Sequence, residues 1–212
     1  MQEISMVKSG DEAEKRKAAV IDFKKGLIRE AAKRVFVETG LHGASVREIA
    51  KQAGSTTGAI YAQYTSKEDV YADILRESLT YMANAVEKAA QEAPRGQKGA
   101  AALRAWYVYF RDRPAEFDLG FYLYGGAKPD GVGKDLNQEL NLRLKLVYAA
   151  VANGLEADGL ASASDKHEKS VAGASWMFGI LLMLKTGRLK ILRLSPEWMV
   201  EECLATFYRG VE

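Results

Sequence analysis

The sequence predicts an all-α protein, a small N-terminal three-helix head followed by a larger helical bundle. Three observations predict this class. Apolar residues recur at three- and four-residue spacing in nearly every segment, and no alternating strand pattern survives inspection. Glycine, proline and hydroxyl residues stand where those segments should start and stop. Two short helical patterns flank a tight break at Ala53-Gly54-Ser55, which is the form of a helix–turn–helix.

In chain order, Met1 to about Ser9 reads as a polar arm. A long helix is expected from about Asp11 to Thr39, its apolar stripe running through Val20, Phe23, Leu27, Ile28, Ala31, Val35 and Phe36. That stripe should form the head's core with Ile49, Ala53 and Ile60, and Gly40 should end the helix. Ser45 and Glu48 have capping-box spacing ahead of Val46, Ile49 and Ala50. Gly54 stops that helix because glycine enters the left-handed region without steric cost. A second helix begins at Ser55 or Thr56, with Ile60 inward and Thr57, Tyr61 and Gln63 outward. Ser66 and Asp69 repeat the capping box for a helix reaching about Gln91. Ala93-Pro94-Arg95-Gly96 breaks it, and Leu103, Trp106, Tyr107 and Phe110 mark the next face. Pro114 opens a further turn before the aromatic run Phe117 to Tyr124. The loop Tyr124 to Lys134 is rich in breakers, but it lacks P-loop spacing and no strand precedes it. Helices follow over Leu136–Glu156 and Ser164–Thr186, the latter apolar around nearly its whole circumference and expected to be buried on several sides. Ser195-Pro196 then starts a last helix carrying Val200, Cys203, Leu204 and Phe207.

The 212 residues suffice for two modest domains, and the net charge of +2 does not by itself argue for nucleic acid. Between Lys15 and Lys51, however, ten basic residues face four acidic ones, beside the helix–turn–helix where phosphate attraction would act. The single cysteine, Cys203, excludes an intrachain disulfide and fits a reducing cytosol, where a nucleoid-associated protein would work. Nothing in the sequence suggests export or membrane insertion. His42, His167 and Cys203 share no metal spacing and assemble no nucleophile–base pair. No catalysis, cofactor or metal is expected.

The second helix of the motif offers Thr56, Thr57, Ala59, Tyr61 and Gln63. Gln63 can read adenine through a bidentate amide contact, and Thr and Ala methyls suit thymine. Lys24–Leu75 resembles the DNA-binding region of the tetracycline-repressor (TetR) family of bacterial regulators. The family's IxxAAxxxFxxxG is met as Ile28, Ala31, Ala32, Phe36 and Gly40. Its TVREIAxxAG is met as SVREIAKQAG, and its GxxYxxFxSK as Gly58, Tyr61, Tyr64, Ser66 and Lys67. The resemblance assigns Tyr61 and Lys67 to phosphates, Ser45 and Thr56 to the backbone's vicinity, and Arg47 to a base or phosphate. Tyr64 aligns with a core phenylalanine. Thr57, Ala59, Gln63 and Thr65 depart from the family's frequent lysine, threonine, tyrosine and proline, which affects the phosphate contacts and the target sequence rather than the fold.

The resemblance also implies residues 10–65 as the DNA-binding domain and 66–212 as the ligand-binding and dimerisation domain. It implies a ligand-responsive regulator, expected to be a repressor, that binds a pseudo-palindromic double-stranded DNA operator as a homodimer. A small apolar or aromatic effector would release it. The dimer would form through the last two helices, at Val171, Leu182, Val200, Cys203, Leu204 and Phe207. The effector would lie among Trp106, Tyr107, Phe110, Phe117, Phe121, Tyr122, Trp176, Met177 and Phe178, which could equally fill a solid core. The other reading is a helical scaffold whose helix–turn–helix serves packing only.

Overall fold

The computed structural model describes residues 2–121 and 132–208, with side chains from residue 12 onward. Ten helices and no strand occur among these described residues. Helix α1 (Gln2–Gly43) starts earlier than expected and takes in most of the segment read as an arm. It breaks at Gly40, where φ is 70°, and closes with one more turn. The chain's contacts separate two compact units, with the boundary between Ile74 and Leu75; Phe121 and Val132 group with the first.

In the first unit, α1 packs on α2 (Val46–Gln52) and α2 on α3 (Thr57–Tyr61), followed by the start of α4 (Lys67–Glu92). Ile28, Ala31, Ala32, Phe36, Ile49, Ile60 and Tyr71 are buried, and the Phe36 and Tyr71 rings meet edge to face at 5.2 Å. Each such large side chain contributes about 1.5–3 kcal/mol by leaving water. Polar ties fix the register of this core. Arg29 pairs with Asp73 at 3.1 Å, and the Tyr64 hydroxyl donates to the same carboxylate at 2.7 Å. The expected stripe of α1 is only partly core: Val20, Phe23 and Leu27 are 53, 68 and 51% exposed. The buried stretch of α1 begins at Ile28; ahead of it these side chains lack enough apolar partners.

In the second unit, α5 (Lys98–Arg111) packs on α7 (Lys134–Ala157) and α8 (Lys166–Lys185), and α8 packs on α10 (Pro196–Tyr208). A Cβ on Gly173 would meet Leu103 Cδ1 at 2.7 Å, so glycine there lets α5 and α8 approach closely. The Asp158 carboxylate, just past α7, accepts from the Gly96 and Gly99 amides at 2.8 Å each. It thereby caps the start of α5 from about sixty residues away. Short α6 (Pro114–Gly120) follows α5. Buried Asp118 of α6 accepts from the Lys185 ammonium at 2.5 Å. Helix α9 (Arg188–Leu192) was not foreseen. It sits between left-handed residues Gly187 (φ 69°) and Arg193 (φ 57°). Contrary to expectation, α8 is not buried on several sides. Ser170, Gly173, Ala174, Met177, Ile180 and Leu181 face the core, whereas Val171 and Leu184 are exposed. The loop between α6 and α7 lies largely outside the described residues.

Candidate nucleic-acid interface and ligand-binding core

Ser45 sets the first helix of the motif. Its Oγ accepts from the Glu48 amide at 3.2 Å while its own amide donates to Glu48 Oε2 at 3.0 Å. Gly54 (φ 59°) then turns the chain, and the Ser55 amide donates to Ala50 O at 2.9 Å. Thr56 caps α3 by accepting from the Ala59 amide at 3.2 Å. Ile49, Ala50 and Ile60 are thereby turned inward, and Ser45, Arg47, Thr56, Thr57, Ala59 and Tyr61 outward, Tyr61 at 58% exposure. Gln63 lies beyond the end of α3 and is half-buried, so the second helix is shorter than expected.

The second capping box forms only in part. Ser66 Oγ accepts from the Asp69 amide at 3.1 Å, but the Asp69 carboxylate serves the Thr65 amide instead, also at 3.1 Å. The Lys67 ammonium donates to the carbonyls of His42 (3.2 Å) and Ala44 (3.0 Å). An ammonium has three donors, so one remains for a phosphate. Tyr64 is buried against Asp73. Burial and that carboxylate push its phenol well above its ordinary range, leaving it a neutral donor. The recess beside this surface escaped sequence reasoning, although Lys24 was already counted in the basic stretch next to the motif. Lys24 and Leu27 of α1 line a recess of about 290 Å³ together with Ser55, Ala59 and Gln63. Only the helix spacing of 24, 27 and 28 hinted at it.

Of the aromatic set, Trp106, Tyr107, Phe110, Phe117 and Met177 are buried, while Trp176 and Phe178 are half-buried. The rings run in contact from Trp106 to Phe110 (5.0 Å), Phe117 (5.5 Å) and Phe178 (5.4 Å). Trp176 stands apart from this run, against Phe207 of α10 at 4.9 Å. Phe121 is half-buried and groups with the first unit; Tyr122 lies outside the described residues. The Tyr107 hydroxyl is buried without a hydrogen-bond partner, and burial raises its pKa. Of the residues assigned to a dimer interface, Val171 is exposed, Leu182, Cys203 and Phe207 are half-buried, and Val200 and Leu204 are buried within the chain itself. Burial pushes the Cys203 thiol up, away from nucleophilic character. Among the described residues no three His, Cys, Asp or Glu side chains gather as metal ligands, and no helix is long and apolar enough to cross a membrane.

Residues 28–74 match the family model described as bacterial regulatory proteins, tetR family. The chain is 26% identical over 155 residues to the fatty acid metabolism regulator protein of Bacillus subtilis (strain 168), covering 73% of this chain and 77% of that one. It is 34% identical over 67 residues to the HTH-type transcriptional repressor KstR2 of Mycobacterium tuberculosis, 32% of this chain and 34% of that repressor's length. Among solved structures, the regulator FadR from Bacillus subtilis in complex with stearoyl-CoA superposes with a TM-score of 0.69 at 18% identity. That match covers 88% of this chain and 98% of the other.

Proposed function

Because the chain belongs to the TetR family of bacterial regulatory proteins, which are regulators and not enzymes, we propose that it is a dimeric, ligand-released repressor of a pseudo-palindromic operator. One observation carries the reading. Two capped helices joined at Gly54 bury Ile49 and Ile60 and leave Arg47, Thr57, Ala59 and Tyr61 on one open surface. Arg47, Tyr61 and Lys67 hold phosphates, with Ser45 and Thr56 beside the backbone, while Gln63 and Ala59 meet base edges. Residues 10–65 then serve as the DNA-binding domain and 66–212 as the effector and dimer domain, the protein acting on the nucleoid in the cytoplasm.

The effector carries an apolar chain, and a fatty acyl-CoA is its favoured class. The contacting run Trp106, Phe110, Phe117 and Phe178 supports an acyl chain, as do the described relatives that regulate fatty acid metabolism or hold stearoyl-CoA. Tyr107, with its unpartnered hydroxyl, supplies a donor for a polar group. Helix α4 spans the boundary at Ile74 and is the element able to carry the signal. A ligand shifts DNA affinity only by its difference in affinity for the two states, and a tenfold release needs about 1.4 kcal/mol of that difference. The test is binding to a fluorescent duplex, first selected by the protein itself, with and without stearoyl-CoA. Release by the ligand is expected; unchanged affinity at saturating stearoyl-CoA overturns the effector assignment.

A further inference from the structure

We propose that the part of α1 ahead of Ile28 is a third DNA-contacting element, in which Lys24 and Lys17 hold phosphates flanking the bases met by Gln63. This rests on the DNA-binding reading above. Helix α1 continues without a break from the core position Ile28 back past Lys17, so that stretch extends the helix that the head anchors at Ile28. Lys17 and Lys24 are seven residues apart, two turns on one face of the helix, about 10 Å along its axis. The direction of that face is fixed by the recess that Lys24 shares with Ser55 and Gln63. An ammonium at Lys24 therefore stands beside the surface that would read the bases.

The charges of this helix divide into used and unused. Arg16 lies 3.7 Å from Glu12, Arg29 pairs with Asp73, Lys33 pairs with Glu30, and the Lys25 ammonium sits over the Tyr64 ring at 5.1 Å. Asp22, the nearest carboxylate in sequence to Lys24, reaches toward Arg29 at 3.8 Å. Lys17 and Lys24 are exposed and have no hydrogen bond or ion pair among the described residues. Val20 and Ile21, 53 and 38% exposed, lie between them on the same side. Lysines alternating with aliphatic groups suit phosphates and the apolar faces of deoxyribose. A second copy of α1 would meet like charges on this face, so DNA rather than another protomer is its occupant.

The experiment uses the full chain, a duplex it selects from a random-sequence pool, and an unselected duplex of equal length. Affinity is measured from 50 to 200 mM salt for the wild type, Lys17→Ala, Lys24→Ala, Lys24→Arg and, as control, Lys88→Ala. Each phosphate contact contributes about 0.9 to the slope of log affinity against log salt. Lys17→Ala and Lys24→Ala should each flatten the slope by about that amount and weaken both duplexes alike. Lys24→Arg and Lys88→Ala should keep the wild-type slope. Wild-type slopes in both alanine variants overturn the inference while leaving the regulator reading intact. A wild type that binds neither duplex overturns the regulator reading and this inference with it.

Discussion

Ser45 performs one structural task and is assigned one functional task, and a substitution separates them. Its hydroxyl caps α2, and Ser45→Ala should cost about 1 kcal/mol of stability in thermal melts. Aspartate caps as well as serine, so Ser45→Asp should melt near the wild type yet bind duplex DNA several-fold more weakly, because its carboxylate would meet phosphates. Equal DNA affinity for the two proteins would remove Ser45 from the interface. Lys67 is likewise divided, with two of its donors committed to His42 and Ala44 carbonyls. The Ser45–Glu48 pair and the Gly54 stop were legible because both partners lie within one turn of chain. The partners of Lys67 lie more than twenty residues away, and the pairs Asp118–Lys185 and Arg29–Asp73 span more than forty. Nothing in local spacing announces such pairs. Replacing Lys185 with methionine strands a buried carboxylate from its cation and should cost about 1–3 kcal/mol, read from urea denaturation.

Helix α8 shows how an element can be recognised while its surroundings are not. Its apolar circumference was legible, but the described residues cover only one face and leave Val171 and Leu184 in the open. A second copy is the simplest cover for the remainder, together with Trp198 of α10, which is 52% exposed. Trp198→Glu and Val171→Asp should therefore yield monomers in light scattering at micromolar concentration with the helical signal retained. Dimers persisting in both would move the interface elsewhere. Leu204 is a poorer probe than its place in the apolar stripe suggested, since its burial within the chain makes a charged substitution unfold the bundle. At the other end of α8, Lys169 and the backbone and hydroxyl of Ser162 hold the Asp165 carboxyl down at about 2. Its folded value lies below the unfolded one, so its stabilising contribution is complete above about pH 4 and is lost as pH falls toward 2. Lys169→Ala should raise the Asp165 midpoint in an NMR titration. Helix α9 escaped the sequence reading because its stop is Arg193 in the left-handed region, a position normally signalled by glycine.

For the whole molecule, the head and bundle were legible from periodicity and punctuation. The identity of the effector was not, because rings that fill a core and rings that flank a ligand share one pattern of spacing. Phe110→Ala should leave affinity for DNA near the wild-type value while weakening the response to stearoyl-CoA, measured as the shift in duplex binding. Loss of both together would make Phe110 a core residue only. The claim on which the rest depends is that two heads read one duplex in two-fold register. Its most direct measurement is selection by the full chain from a random-sequence duplex pool, with the bound fraction sequenced. An enriched inverted repeat is expected, with half-site centres about 10–10.5 base pairs apart or a multiple of that spacing. A bound fraction indistinguishable from the input pool, or a single unrepeated half-site, would contradict it.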